Sequence, residues 1–150
     1  MTLTIEDASL RHLDRLYEIE MECFNKEAFT KQQIASLLSD YNSVSLVAKE
    51  NGEIIGFIIG IVYVERNSLT GHILTIDILP IHRRKGIAQS LLQKIEKIFK
   101  EKSVKACRLE VREDNIAALG LYQKLGYKKI AKLKNYYRNA HGIYLKKDLT

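Results

Sequence analysis

The stretch His82-Arg83-Arg84-Lys85-Gly86-Ile87-Ala88 constrains this chain more than any other. It follows an apolar run ending at Leu79-Pro80 and opens onto Ile87, Leu91, Leu92, Ile95, Ile98 and Phe99. Those six recur at helical spacing, so the segment predicts a strand, a basic glycine turn and an amphipathic helix in succession. A helix N-terminus offers unpaired N–H groups and a partial positive charge. Gly86 and Ala88 allow close backbone approach, and Arg83, Arg84 and Lys85 add full charges. The junction reads either as a pyrophosphate cradle or as a plain basic turn before a helix. It is neither GxxxxGK[ST] nor GxGxxG, which separates it from the common nucleotide loops.

The elements around it follow from periodicity. Leu10, Leu13, Tyr17, Met21 and Phe24 predict a helix over residues 8–24, and Thr30 caps a shorter one with Ile34, Leu37 and Leu38 inward. Residues 44–49 and 53–64 are strand-like, with Asn51-Gly52 as a tight hairpin turn between them. Further strands are expected at about 72–79, 104–111, 127–133 and 141–147, and a helix at 115–125 stopped by Gly126. The order β-α-α-β-β-β-α-β-α-β-β puts hairpins early and crossover helices late. It predicts an α/β chain with a mixed, mostly antiparallel sheet and helices on both faces, in a single domain over residues 1–150. A doubly wound sheet does not fit.

Composition narrows the class. A chain of 150 residues can build a core without disulfide or metal. No apolar run approaches the ~18 residues of a membrane helix. The N-terminus lacks the basic-then-apolar order of a signal peptide. Cys23 and Cys107 stand apart, with no CxxC or metal-ligand spacing, as in a protein of the reducing cytoplasm. The net charge of +6 suits an anionic ligand, a nucleic acid or a ribosomal surface, or simply solvated lysines.

Arg83, Gly86 and Ala88 carry the spacing [QR]xxGx[GA]. It resembles the coenzyme A pyrophosphate motif of the GNAT acetyltransferase superfamily. Leu109-Glu110-Val111-Arg112, Asn115 and Ala118-Leu119-Gly120-Leu121-Tyr122-Gln123-Lys124-Leu125-Gly126-Tyr127 are similar to the LEVR…N…ALxLYxxLGF signature of its N-terminal protein acetyltransferases, RimI-type and archaeal or eukaryotic. Asn135-Tyr136-Tyr137 resembles their substrate loop. Two stretches depart from the pattern. Glu27-Ala28 stands where many RimI-type members carry Pro-Trp, and Asn139-Ala140-His141-Gly142 lacks the acidic residues often found there. Both bear on peptide preference, not on acetyl-CoA chemistry.

The resemblance implies a GNAT-like fold and direct acetyl transfer from acetyl-CoA, without metal, to the N-terminal amine of a protein, such as a ribosomal protein. A ribosome or an auxiliary subunit is an expected partner; a membrane or a specific nucleic acid is not. It implies that Arg83, Arg84, Lys85, Gly86, Ile87, Ala88 and Gln89 hold the pyrophosphate. The backbone of Ile76, Asp77 and Ile78 would meet the acetyl carbonyl and pantetheine arm, Asn115 and Tyr122 the arm, and Phe24, Tyr136 and Tyr137 the acceptor. Tyr136 and Tyr137 are expected in the connection between the last two strands.

The residues themselves leave roles open. Residues 115, 119 and 122 fall on one helix face, Asn115 and Tyr122 about 20° and roughly 10 Å apart. A phenol stays protonated where a thiol ionises, so Tyr122 suits an acid for the leaving sulfur, or a core tyrosine. Glu110 lies late in a strand with Arg108 two residues before it, which suits a base or an ion pair. Asp77 sits in an apolar strand and reads as structurally paired, with catalysis the minor reading. His72, His82 and His141 read as ordinary. Acetylation of a lysine or small amine, and a noncatalytic acyl-CoA-binding module associated with the ribosome, are the alternatives.

Overall fold

The computed structural model describes residues 2–150. Its elements are β1 (Leu3–Asp7), α1 (Leu13–Phe24), α2 (Lys31–Ser39), β2 (Ser43–Glu50), β3 (Glu53–Glu65), β4 (Ser68–Ile78), α3 (Ile87–Glu101), β5 (Val104–Arg112), α4 (Ile116–Lys124), β6 (Lys128–Tyr137) and β7 (Ala140–Asp148). They form one seven-stranded sheet in the order β1-β2-β3-β4-β5-β7-β6. Only β4 and β5 run parallel; every other neighbouring pair is antiparallel. The mixed, mostly antiparallel sheet is the one the element order predicts.

Chain connectivity assigns the faces. The β4-α3-β5 and β5-α4-β6 crossovers advance in the same direction, and right-handed crossovers then put α3 and α4 on the same face. Tyr127, just after α4, donates to Glu96 of α3 at 2.7 Å and confirms the neighbourhood. Helices α1 and α2 cover the other face. Leu16, Ile19 and Ile34 are fully buried there, and Leu91, Leu92, Ile95 and Phe99 are fully buried under α3. Each contributes about 1.5–3 kcal/mol by leaving water. Helix α3 comes close because β3 carries Gly60, where a Cβ would stand 2.9 Å from the Phe99 ring.

Several boundaries differ from the sequence expectation. Strand β4 starts at Ser68 rather than near His72, because Arg66 and Asn67 adopt φ of 50° and 67° and close a two-residue hairpin without glycine. The first helix begins as a 3-10 turn over Leu10–His12, leaving Leu10 exposed, before α1 proper. Helix α4 starts at Ile116, since Asn115 caps it. Strand β6 continues past Leu133 through an irregular register to Tyr137, with Asn135 at φ 55°.

Two irregularities shape the site. Ile59 pairs with Thr75 and Gly60 with Ile73, so Leu74 is an extra residue in β4. An inserted residue flips the alternation of side chains. His72, ahead of the bulge, and Thr75 and Asp77, behind it, therefore all face α1 and α2. The second irregularity is a splay. Strands β4 and β5 pair only from Leu69–Val104 to His72–Arg108. Beyond that point they diverge, and residues 73–78 of β4 keep a free edge towards β5.

Candidate active site

The splay opens towards the glycine turn. Proline 80 starts a 3-10 turn ending at His82, after which Arg84 and Gly86 take φ of 64° and 78°. Nothing lies within 4 Å of where a Gly86 Cβ would point, so glycine is needed for the backbone conformation and leaves open space ahead. The amides of residues 84–89 find no backbone acceptor among the described residues. They converge on the N-terminus of α3, an arrangement suited to phosphate oxygens. The three cations do not act alike. Arg84 is exposed and makes no ion pair among the described residues. Lys85 leans towards Glu50, 3.8 Å away, beside His82. Arg83 turns back, its Nε donating to the Ile78 carbonyl at 3.0 Å. That carbonyl belongs to the strand edge, so Arg83 braces the turn against β4 while its charge, like that of Arg84, stays without an ion pair among the described residues. Ile87 is a buried core residue, Ala88 and Gln89 are half-buried, and Gln89 lies 3.4 Å from the Lys124 ammonium.

Along the slot, Ile76, Asp77 and Ile78 present backbone on the free edge of β4. The Asp77 side chain points instead to the α1 face, where Thr75 Oγ1 lies 2.5 Å from its Oδ1 and 3.1 Å from Glu20 Oε1 of α1. Across the slot, α4 supplies Tyr122. Its ring packs edge-on against Tyr127, centroids 5.9 Å apart, and its hydroxyl bonds no described side chain. Burial, then Cys107 and Asp77, push its phenol up, so it stays protonated. Asn115 does not join Tyr122 on a helix face. Its Oδ1 accepts from Ala118 N at 3.1 Å as the N-cap of α4, which leaves only its amide nitrogen uncommitted.

The residues expected to meet the acceptor lie on the opposite face. Glu110 is nearly buried, and both its oxygens are engaged: His72 Nε2 donates to Oε1 at 2.7 Å and Arg108 Nη2 to Oε2 at 2.8 Å. Burial raises this carboxyl, but the bonds from His72 and Arg108 outweigh it and hold it below the ordinary glutamate range. Glu110 is thus both the ion-pair partner of Arg108 and the partner of a histidine. With Nε2 donating, Nδ1 has no partner among the described residues, and in a neutral imidazole it is the acceptor. His72 is the residue that sequence reading missed. It lies 38 residues from Glu110, and only the β4–β5 register brings the two together.

Tyr136 and Tyr137 occupy the last turn of β6 rather than a loop beyond it, because β6 runs longer than its apolar pattern shows. Their rings meet edge-on with centroids 4.9 Å apart. Tyr136 is half-exposed beside Glu110; Tyr137 is more enclosed, and burial, then Tyr136 and Glu110, push its phenol up. Arg112 lies over the Tyr137 ring, 5.7 Å from its centroid, and pairs with Glu27 at 3.2 Å. Phe24 ends α1 at the margin of this side, partly exposed. His141 also finds a partner, Nδ1 accepting from Asn135 N at 2.8 Å, which holds the β6–β7 hairpin.

A slot between splayed strands, opening onto unpaired amides at a helix N-terminus, can hold a long thin ligand with a phosphate head. Residues 13–127 match the acetyltransferase (GNAT) family. The chain belongs to that family. This GNAT acetyltransferase is 31% identical to an N-alpha-acetyltransferase of Sulfurisphaera tokodaii, over 94% of this chain and 89% of that one. It is 34% identical to a ribosomal protein bS18-alanine N-acetyltransferase of Haemophilus influenzae, over 86% of this chain and 84% of that one. Its fold superposes on the crystal structure of Ard1 from Thermoplasma volcanium with a TM-score of 0.89 at 25% identity, covering 100% of this GNAT chain and 99% of Ard1. Among the described residues no helix is long and apolar enough to cross a membrane.

Proposed function

We propose that this enzyme transfers an acetyl group from acetyl-CoA to the free α-amine at a protein N-terminus. The observation that carries the proposal is the meeting of two half-sites at the β4–β5 splay. On one face, the amides of residues 84–89, the free β4 edge and the unpaired Tyr122 hydroxyl fit coenzyme A. On the other, Glu110, His72 and two tyrosines fit an amine and the backbone behind it. The names borne by the Sulfurisphaera and Haemophilus relatives support the α-amine as acceptor.

When bound, acetyl-CoA supplies an acyl thioester whose carbonyl carbon is the electrophile. The residues of the chain do the rest. The first turn of α3, with Arg84 beside it, holds the pyrophosphate. Backbone N–H groups within residues 76–78 stabilise charge on the carbonyl oxygen. His72, oriented by Glu110, takes the amine proton on Nδ1, directly or through water. Tyr122 gives its proton to the departing sulfur. An α-amine, with a pKa near 8, needs little help to lose its proton, whereas a lysine ε-amine near 10.4 needs far more. A carboxylate held low, acting through one histidine, matches the easier task. Tyr136 and Tyr137 offer aromatic walls and hydroxyls for the first residues of the acceptor.

The free thiols Cys23 and Cys107 suit a reducing cytoplasm, where we place the enzyme. The net charge of +6 favours work beside an anionic surface such as the ribosome. The test is competition between matched peptides, one set with free N-termini and one N-blocked with an internal lysine, read by mass spectrometry. Faster modification of free N-termini is expected; faster modification of the blocked lysine peptides would overturn the assignment.

A further inference from the structure

Beneath the slot lies a group of side chains that the transfer chemistry does not use. Glu20 of α1 and Asp77 of β4 are each 1% exposed, and neither makes a salt bridge among the described residues. Thr75 Oγ1 lies 2.5 Å from Asp77 Oδ1 and 3.1 Å from Glu20 Oε1, and its single proton serves one of them at a time. Glu20 Oε2 accepts from Phe29 N at 2.9 Å. Asp77 Oδ2 is buried with no partner that could donate to it.

Two buried carboxylates with two neutral donors between them cannot both stay ionised. A single proton resolves the orphaned oxygen and the repulsion together. Placed on Asp77 Oδ2, it can point to Glu20, the carboxylate with which Asp77 shares the Thr75 hydroxyl. Glu20 already accepts from the Phe29 amide and lies 3.1 Å from the Thr75 hydroxyl, whereas Asp77 Oδ2 has no donor, so the geometry puts the proton on Asp77. The other ionisable groups facing Asp77 are Cys23 from α1, Arg83 from the turn and Tyr122 from α4. None supplies a direct ion pair. Burial and then Glu20 raise the Asp77 carboxyl, consistent with the proton residing there.

We propose that Asp77 and Glu20 share one proton and act as a positioning pair that ties the acceptor loop to the cofactor strand. Glu20 grips the amide of Phe29, at the end of the segment that leads from α1 into α2. That segment carries Glu27, which reaches Arg112 and the backbone of Arg138. Asp77 belongs to the free β4 edge. The pair therefore sets the position of one half-site relative to the other, a role that rests on the assignment of the two half-sites made above.

Two measurements test it. In the first, thermal unfolding of wild type and Asp77→Asn is followed from pH 5 to 9. A raised carboxyl keeps its proton in the folded protein after the unfolded chain has lost it. Its contribution is therefore complete in acid and declines as pH rises from about 4 until the folded group ionises. Asn cannot ionise, so the midpoint of Asp77→Asn should gain on wild type by about 5 °C or more across that range. Curves that run parallel would overturn the proposal, whatever reaction the protein catalyses. In the second, the acceptor KM of Asp77→Ala should exceed that of Asp77→Asn by at least about tenfold, because Asn can still donate to Glu20 and Ala cannot. Equal acceptor KM values for the two variants would overturn the coupling, and a wild-type protein without acetyl transfer would instead overturn the functional assignment while leaving the unfolding test intact.

Discussion

In the proposed reaction Tyr122 and Glu110 divide the chemistry by how each is held. The Tyr122 phenol is enclosed by α4 and Tyr127 and keeps its proton; the Glu110 carboxyl is gripped by two donors and keeps its charge. Tyr122→Phe removes one donor and leaves the ring packing. Its kcat should fall about 10²- to 10⁴-fold, with acetyl-CoA affinity nearly intact. Wild-type turnover at saturating substrates, with chemistry limiting, would leave Tyr122 a packing residue. Glu110→Gln removes the carboxylate that orients His72, so activity should drop most at low pH, where free amine is scarce. A profile of the same height and shape as wild type would reduce Glu110 to an ion-pair partner of Arg108. The stability consequence has a definite sign. A carboxyl held below its unfolded value contributes above that value, near 4.3, and loses its contribution as pH falls through the folded one. The melting temperature of Glu110→Gln should therefore lag wild type at neutral pH and converge with it in acid.

At the scale of elements, the turn before α3 carries the largest functional demand on backbone geometry. Gly86→Glu forces a side chain onto a φ of 78° and points a negative charge into the open space ahead of the helix. Calorimetry should show acetyl-CoA binding largely lost while circular dichroism stays folded; unchanged affinity would remove the basis for placing the pyrophosphate there. This turn was legible because its signal is local: one glycine, three cations and an unbroken helical stripe. The same holds for the Thr30 cap, whose Oγ1 accepts from Gln33 N at 3.1 Å, and for the Asn51-Gly52 hairpin. What escaped was set by pairing between distant strands. The extra residue at Leu74 has no composition of its own, yet it decides that His72, Thr75 and Asp77 share a face. Without that register, His72 looks ordinary and Asp77 can be assigned to the wrong side. The end of β6 escaped for a related reason. Lys128 to Tyr137 is mostly exposed at the sheet edge and lacks the apolar alternation that marks a half-buried strand.

Across the molecule, the two borders of the proposed acceptor side are fastened to each other by a contact that no single element contains. Glu27 Oε1, in the turn between α1 and α2, accepts from Arg112 Nη1 at 3.2 Å and from the Arg138 amide at 3.1 Å, 85 and 111 residues along the chain. Arg112 continues onto the Tyr137 ring and pairs with Asp114 at 3.0 Å. The clasp thus joins the α1–α2 turn, the end of β5 and the β6–β7 hairpin beside the Tyr137 ring. Its charges are solvent-exposed, so water and salt screen them and the pair adds little to stability. In the proposed reading its effect falls on access to the amine-binding side. A narrow entrance admits a chain end and resists a lysine approaching from the middle of a folded surface. Glu27→Ala should therefore leave the melting temperature within a few degrees of wild type, yet lower the preference for free N-termini over N-blocked lysine peptides by about tenfold. Raising the ionic strength should erode wild-type selectivity in the same direction and have a smaller effect on the variant. Selectivity that survives both the substitution and the salt would show that the entrance is shaped by the tyrosines alone.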